Sequence, residues 1–139
     1  FGLAARTRIH DGFGSGARKP WLPLAESHRA LAVDRQEADP HSLLNFYRRL
    51  LHWRRTQPTL LKGTIELLPK HKQVLAYVRS HGGERVLCAF NASEEALSWS
   101  LPKGSKRAEP LEGGIAAGAD VQGRKVNFDP WGMLLARLT

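Results

Sequence analysis

Thirteen carboxylates, six histidines and one cysteine are the side chains of this chain that could do acid–base, metal or nucleophilic chemistry. Splitting a glycosidic bond, for example, needs two carboxyl groups flanking it, one an acid and the other a nucleophile or base. The acids here are Asp11, Glu26, Asp34, Glu37, Asp39, Glu66, Glu84, Glu94, Glu95, Glu109, Glu112, Asp120 and Asp129. Most fall in loops, turns or helix caps, and none closes a buried strand, where a barrel enzyme holds a catalytic acid. They are expected to be solvated, and no catalytic residue is assigned. The histidines (His10, His28, His41, His52, His71 and His81) offer no i, i+4 pair and no cysteine partner. No metal site and no cofactor are therefore expected. Cys88 lies in the apolar run "RVLCAF" and is expected to be a buried, inert thiol; alone, it makes an internal disulfide impossible.

Two further patterns invite a ligand and do not sustain one. "GFGSGARK" carries Gly12, Gly14 and Gly16, but no strand precedes it and Lys19 is not followed by a serine or threonine. It matches neither phosphate-binding fingerprint and reads as a loop. "NAS" at Asn91 to Ser93 fits the glycosylation triplet, yet without a secretory signal it reads as a turn after a strand. The formal net charge of +8 favours an anionic partner without demanding one.

The elements that would position these groups follow from periodicity. Residues 1–37 show none and read as loop, with Pro20 and Pro23 after the glycines. From about residue 40 to 56 a helix is predicted, with Asp39 as its cap, Pro40 at its first position and Pro58 ending it. Its apolar stripe is Leu43, Phe46, Tyr47, Leu50 and Leu51, while Arg54 and Arg55 complement the dipole in the last turn. A nucleic-acid helix would present arginines to phosphates. Here the wide stripe argues for packing instead, so no nucleic-acid partner is expected.

After Gly63 the period becomes two. "TIELL" is a strand, and "QVLAYVRS", "HGG" and "ERVLCAFNAS" form a hairpin turning at Gly82 and Gly83. Both hairpin strands are apolar on both faces, which suits a sheet covered on both sides. "ALSWSLP" alternates, with Leu97, Trp99 and Leu101 on one face. The stretch from Lys103 to Gly123 reads as polar loop, and "KVNFD" and "GMLLARL" as two strands separated by Asp129–Pro130–Trp131. The expected fold is mainly β: an antiparallel β-sandwich of about six strands, preceded by an irregular segment and one long amphipathic helix.

Three segments carry a family resemblance: "GSGARKPWLPL", "DPHSLLNFYRRLLHWRRTQPTLLKGTIELL" and "VLAYVRSHGGERVLCAFNAS". Over roughly residues 12 to 101 the chain resembles the C-terminal third of α-glucosidases of the α-amylase family of glycoside hydrolases. The resemblance implies that residues 1–60 are a loop and the last helix of a truncated (β/α)₈ barrel, and that residues 61–139 are the C-terminal β-domain. It also implies that the catalytic carboxylates lie on barrel strands upstream, with no counterpart here. "AARTRIHDG" keeps Ala5, Arg6 and Thr7 of a stretch like "RDGCRTPMPW" but not its "PMPW", so no substrate contact is carried over to them.

The expected function is that of a C-terminal fragment of an enzyme that hydrolyses or transfers α-linked glucose, inactive alone and structural or accessory in role. The chain lacks a starting methionine, as a fragment would. The rival reading is a carbohydrate-binding β-sandwich in which Trp99, Trp131 and Tyr77 stack on an α-glucan or α-glucoside. Against that, Trp99 is in phase with Leu97 and Leu101, as a core residue would be. With no barrel to cover them, Leu43, Phe46, Tyr47, Leu50 and Leu51 are expected to fold back on the β-domain or to meet a second copy in a homodimer. No apolar run approaches the ~20 residues of a membrane span, and without a signal peptide a cytoplasmic location is expected.

Overall fold

The strongest helical period in the sequence becomes the longest helix. The computed structural model describes residues 31–113 and 117–139. The glycine-rich and proline–tryptophan segments before residue 31, with His10, His28, Asp11 and Glu26, lie outside the described residues. The chain divides into two compact units, Phe1–His52 and Trp53–Thr139.

In the first unit a short helix α1 (Val33–Ala38) stands where loop was expected. Helix α2 (Leu43–Arg55) follows. It starts three residues later than predicted, because Ser42 is the residue that caps it. The Ser42 carbonyl accepts the Phe46 N–H at 2.9 Å and its hydroxyl accepts the Asn45 N–H at 3.3 Å. Asp39 instead makes a turn, its carboxylate accepting the His41 N–H at 2.9 Å. Asn45 and Ser42 then tie the corner between the helices, donating to the Gln36 carbonyl at 2.9 and 2.6 Å. Pro58 does end α2, but it also opens helix α3 (Pro58–Lys62), whose first position needs no N–H.

The second unit begins with the end of α2 and with α3, and is antiparallel β from there on. Its strands are β1 (Thr64–Leu67), β2 (Val74–His81), β3 (Glu84–Asn91), β4 (Leu97–Ser100), β5 (Ala108–Pro110), β6 (Ala117–Gln122) and β7 (Lys125–Leu138). The β2–β3 hairpin turns on Gly82 and Gly83, both with positive φ, as a two-residue turn of matching twist requires.

Two expectations about the last third need correction. Between Lys103 and Gly123, read as loop, β5 and β6 are strands. β5 is too short to show a period and β6 alternates only over residues 119–122, with Ala119 and Val121 against the core; both pair with β7. And "KVNFD" and "GMLLARL" are one strand, not two: β7 runs through Pro130, which is tolerated at the irregularity where β6 slips register between Ala117 and Ala119.

This long strand organises the sheet. Along one side of β7, β3 pairs with Met133–Arg137 and β4 with Lys125–Phe128. Along the other, β5 pairs with Ala136–Leu138, and β6 with Lys125–Phe128 and Met133. The sheet thus has two arms joined at the β7 bend, and both contribute to one core. Val78, Leu87, Ala89, Leu134 and Ala136 come from one arm, and Val126, Phe128, Leu97 and Trp99 from the other. This is the mainly β, antiparallel architecture expected from the alternation.

Candidate functional site

The described carboxylates do not gather into a catalytic pair. Glu109 and Asp120 line one hollow of about 420 Å³ between β5 and β6, with Arg107. All three are exposed, and Asp120 already accepts the Gln122 side-chain amide at 2.8 Å. A second hollow of about 340 Å³ under the β1–β2 connection is lined by Leu67, Pro69, Lys70, His71 and Lys72, without an acid. No cluster of three or more metal-ligating side chains occurs among the described residues.

One described carboxylate with a perturbed affinity for protons is a brace. Glu84 accepts hydrogen bonds from the buried Thr59 hydroxyl and from Arg137, at 2.8 Å for the latter, so its carboxyl is held below the usual range. It ties α3 to the hairpin and to β7. Cys88 is 1% exposed, and burial pushes its thiol up, as an inert core cysteine requires. Burial, and then Cys88 beside it, raise the Tyr77 hydroxyl as well.

Asn91 is not a modification site. It is 3% exposed, and its amide donates to the carbonyls of Glu95 at 2.7 Å and Asp129 at 2.9 Å. Its oxygen accepts from the Ser93 N–H and hydroxyl at 3.1 and 2.7 Å. The triplet is a turn after a strand, as read, and it also fastens the β3–β4 connection to the bend of β7.

The three aromatic candidates do not converge. Trp99 is half-buried against the core. Tyr77 lies on the opposite face of β2 from the inward Ala76 and Val78, its ring 6.1 Å from that of Phe90. Trp131 stands at the β7 bend, 64% exposed.

What the residues do assemble is uncovered apolar surface, in each unit separately. On α2, Leu43, Tyr47 and Leu51 are 66%, 53% and 53% exposed at successive i, i+4 positions, with Phe46 and Leu50 half-buried beside them. On the outer face of the sheet, Leu67 lies opposite Tyr77, and Leu75 opposite Phe90, which is opposite Met133. Leu67 and Leu75 are 71% and 56% exposed. The helix stripe was legible from spacing. The sheet face was signalled by hairpin strands apolar on both sides. Such surfaces bury against other surfaces and do no chemistry.

This architecture, a bent antiparallel β-domain after a helix with an apolar stripe, matches known proteins. The family described as Maltogenic Amylase, C-terminal domain, matches residues 65–133. A "Probable alpha-glucosidase" of Rhizobium meliloti (strain 1021) is 44% identical over 131 residues, which is 94% of this chain and 23% of that protein. The crystal structure of the alpha-glucosyl transfer enzyme XgtA superposes with a TM-score of 0.84 at 34% identity, over 96% of this chain and 24% of that one. The trehalulose synthase MutB from Pseudomonas mesoacidophila MX-45 follows with 0.77 at 30%, over 93% and 23%. Residues 65–133 thus form a C-terminal β-domain of the maltogenic amylase type. The chain belongs with the C-terminal part of α-glucosidases of the α-amylase family, and it spans about a quarter or less of the length of these relatives.

Proposed function

We propose that this chain closes and braces a larger enzyme acting on α-linked glucose. In this reading α2 seals the barrel and the β-domain packs beside it. The chemistry, hydrolysis or transfer with retention through a covalent glycosyl intermediate, belongs to carboxylates on barrel strands that these residues do not include. The observation that carries the reading is the uncovered apolar surface of each unit, with no buried acid pair among the described residues to set against it. Large apolar side chains left in water forgo about 1.5–3 kcal/mol each, so their natural place is against a partner body. The relatives' names support an α-glucoside substrate for the parent: one is an alpha-glucosyl transfer enzyme, and trehalulose synthase was crystallised with sucrose.

Free of a barrel, the α2 stripe meets a second copy, and the chain is a dimer. A cytoplasmic location belongs to the same proposal; the buried, unpaired Cys88 suits a reducing compartment. Among the described residues no helix is long and apolar enough to cross a membrane. The direct test is an aryl α-glucoside incubated with the purified chain. No phenol is released above the buffer rate; turnover that survives repurification overturns the accessory role.

A further inference from the structure

The bend of β7 is built in a way that backbone geometry alone does not require. Trp131 has φ 58°, the left-handed region that bulky side chains rarely enter. Glycine enters it freely. The glycine at this bend, however, is the next residue, Gly132, where a Cβ would lie 2.0 Å from the Gly118 carbonyl oxygen. The left-handed position itself carries an indole that is 64% exposed. An indole so placed adds little to this domain's own core, and the turn itself does not call for it. Backbone strain of this kind collects at sites that bind.

The bend also fixes the backbone that carries the indole. Pro130 fixes the backbone before it. The Trp131 N–H donates to the Ser93 carbonyl at 3.1 Å, and the buried Asn91 amide donates to the Asp129 carbonyl at 2.9 Å. A ligand lying against a ring set out from a braced turn need order only the side chain and not the loop. The neighbouring Asp129 is exposed and leaves its carboxylate available as an acceptor.

We propose that Trp131 is a stacking platform for a pyranose ring of a neutral gluco-oligosaccharide, separate from the packing role of the chain. The C–H face of the sugar lies on the indole, and the Asp129 carboxylate accepts from a ring hydroxyl. A phosphate-bearing ligand is disfavoured by that carboxylate, which is why a nucleotide is not the occupant. A single platform gives affinity in the millimolar range, near 4 kcal/mol.

The test reads the indole N–H signals of the folded chain by NMR, with the Trp131 signal identified by its loss in Trp131→Ala. Maltotriose and isomaltotriose are expected to move the Trp131 signal and to leave those of Trp53 and Trp99 in place. Saturation transfer from protein to sugar is expected to vanish in Trp131→Gly, a variant that keeps the bend and melts no lower than the native chain. The proposal fails if no signal moves at roughly tens of millimolar sugar, or if sorbitol moves it equally. It fails too if transfer persists in Trp131→Gly, or if that variant melts well below the native chain, since the indole would then be a packing residue.

Discussion

Ser105 is 1% exposed, and its hydroxyl has no partner. Its backbone serves the fold: the carbonyl accepts from Arg124, and the N–H donates to Pro102 at 3.2 Å. Both survive truncation of the side chain, and an unanswered hydroxyl costs desolvation. Ser105→Ala is therefore expected to leave the melting temperature unchanged or to raise stability by up to about 1 kcal/mol. Glu84 is the opposite case, a carboxylate whose oxygens are both engaged. Its folded pKa is depressed below 4.5, so its contribution is present above that value and is lost as pH falls through the folded one. Glu84→Gln should cost about 1 kcal/mol at neutral pH, a modest figure because Arg137 is half in solvent. The gap between variant and native melting curves should close as acid is added; a gap constant from neutral to strongly acid pH contradicts the linkage. Neither residue was readable in the sequence as more than a surface polar group, since each depends on partners far along the chain.

At the scale of elements, local pattern was enough where an element carries its own period. α2, the β2–β3 hairpin, and the inward face of β4 with Trp99 were all legible this way. β5 and β6 were not, because "AEP" is too short to show a period and the alternation over residues 119–122 is brief and built on small residues in a glycine-rich stretch; both pair with β7. β7 itself was read as two pieces because Pro130 is a good breaker in isolation; here it falls at a register irregularity, where a missing N–H costs nothing. That same bend makes Gly132 irreplaceable. A Cβ there meets backbone at Gly118 and Asp129, which cannot swing aside as a side chain could. Gly132→Ala should cost about 3 kcal/mol or more, measured by urea unfolding, with loss of the β6–β7 pairing. The α2 stripe permits a cleaner test of association. Replacing Leu43, Tyr47 and Leu51 by serine is expected to convert a dimer to a monomer by light scattering while leaving the β-domain's melting unchanged. A native chain that is already monomeric at high micromolar concentration sinks the dimer.

For the whole molecule, the excess of basic over acidic residues is the kind of fact that misleads when taken alone. Arg48 and Arg49 of α2 lie off its stripe, where Arg48 pairs with Glu37 at 2.7 Å and Arg49 donates to the Pro40 carbonyl at 2.7 Å. They read better as a solvated face than as a grip on phosphate. The candidate sugar contacts were only partly separable from sequence. Phase placed Trp99 in the core, but the left-handed turn that lifts Trp131 into solvent has no local signature, because Asp–Pro–Trp–Gly also describes an ordinary loop.

One strand has a further bearing on how this molecule comes into being. β7 is synthesised after every strand it pairs with, and it alone joins the two arms of the sheet. A nascent chain can close the β2–β3 hairpin early, but among the described strands β4, β5 and β6 pair only with β7 and must wait for it to leave the ribosome. Until then the apolar sides of β3 and β4 stand open, and the domain is most exposed to misassembly in the interval just before β7 arrives.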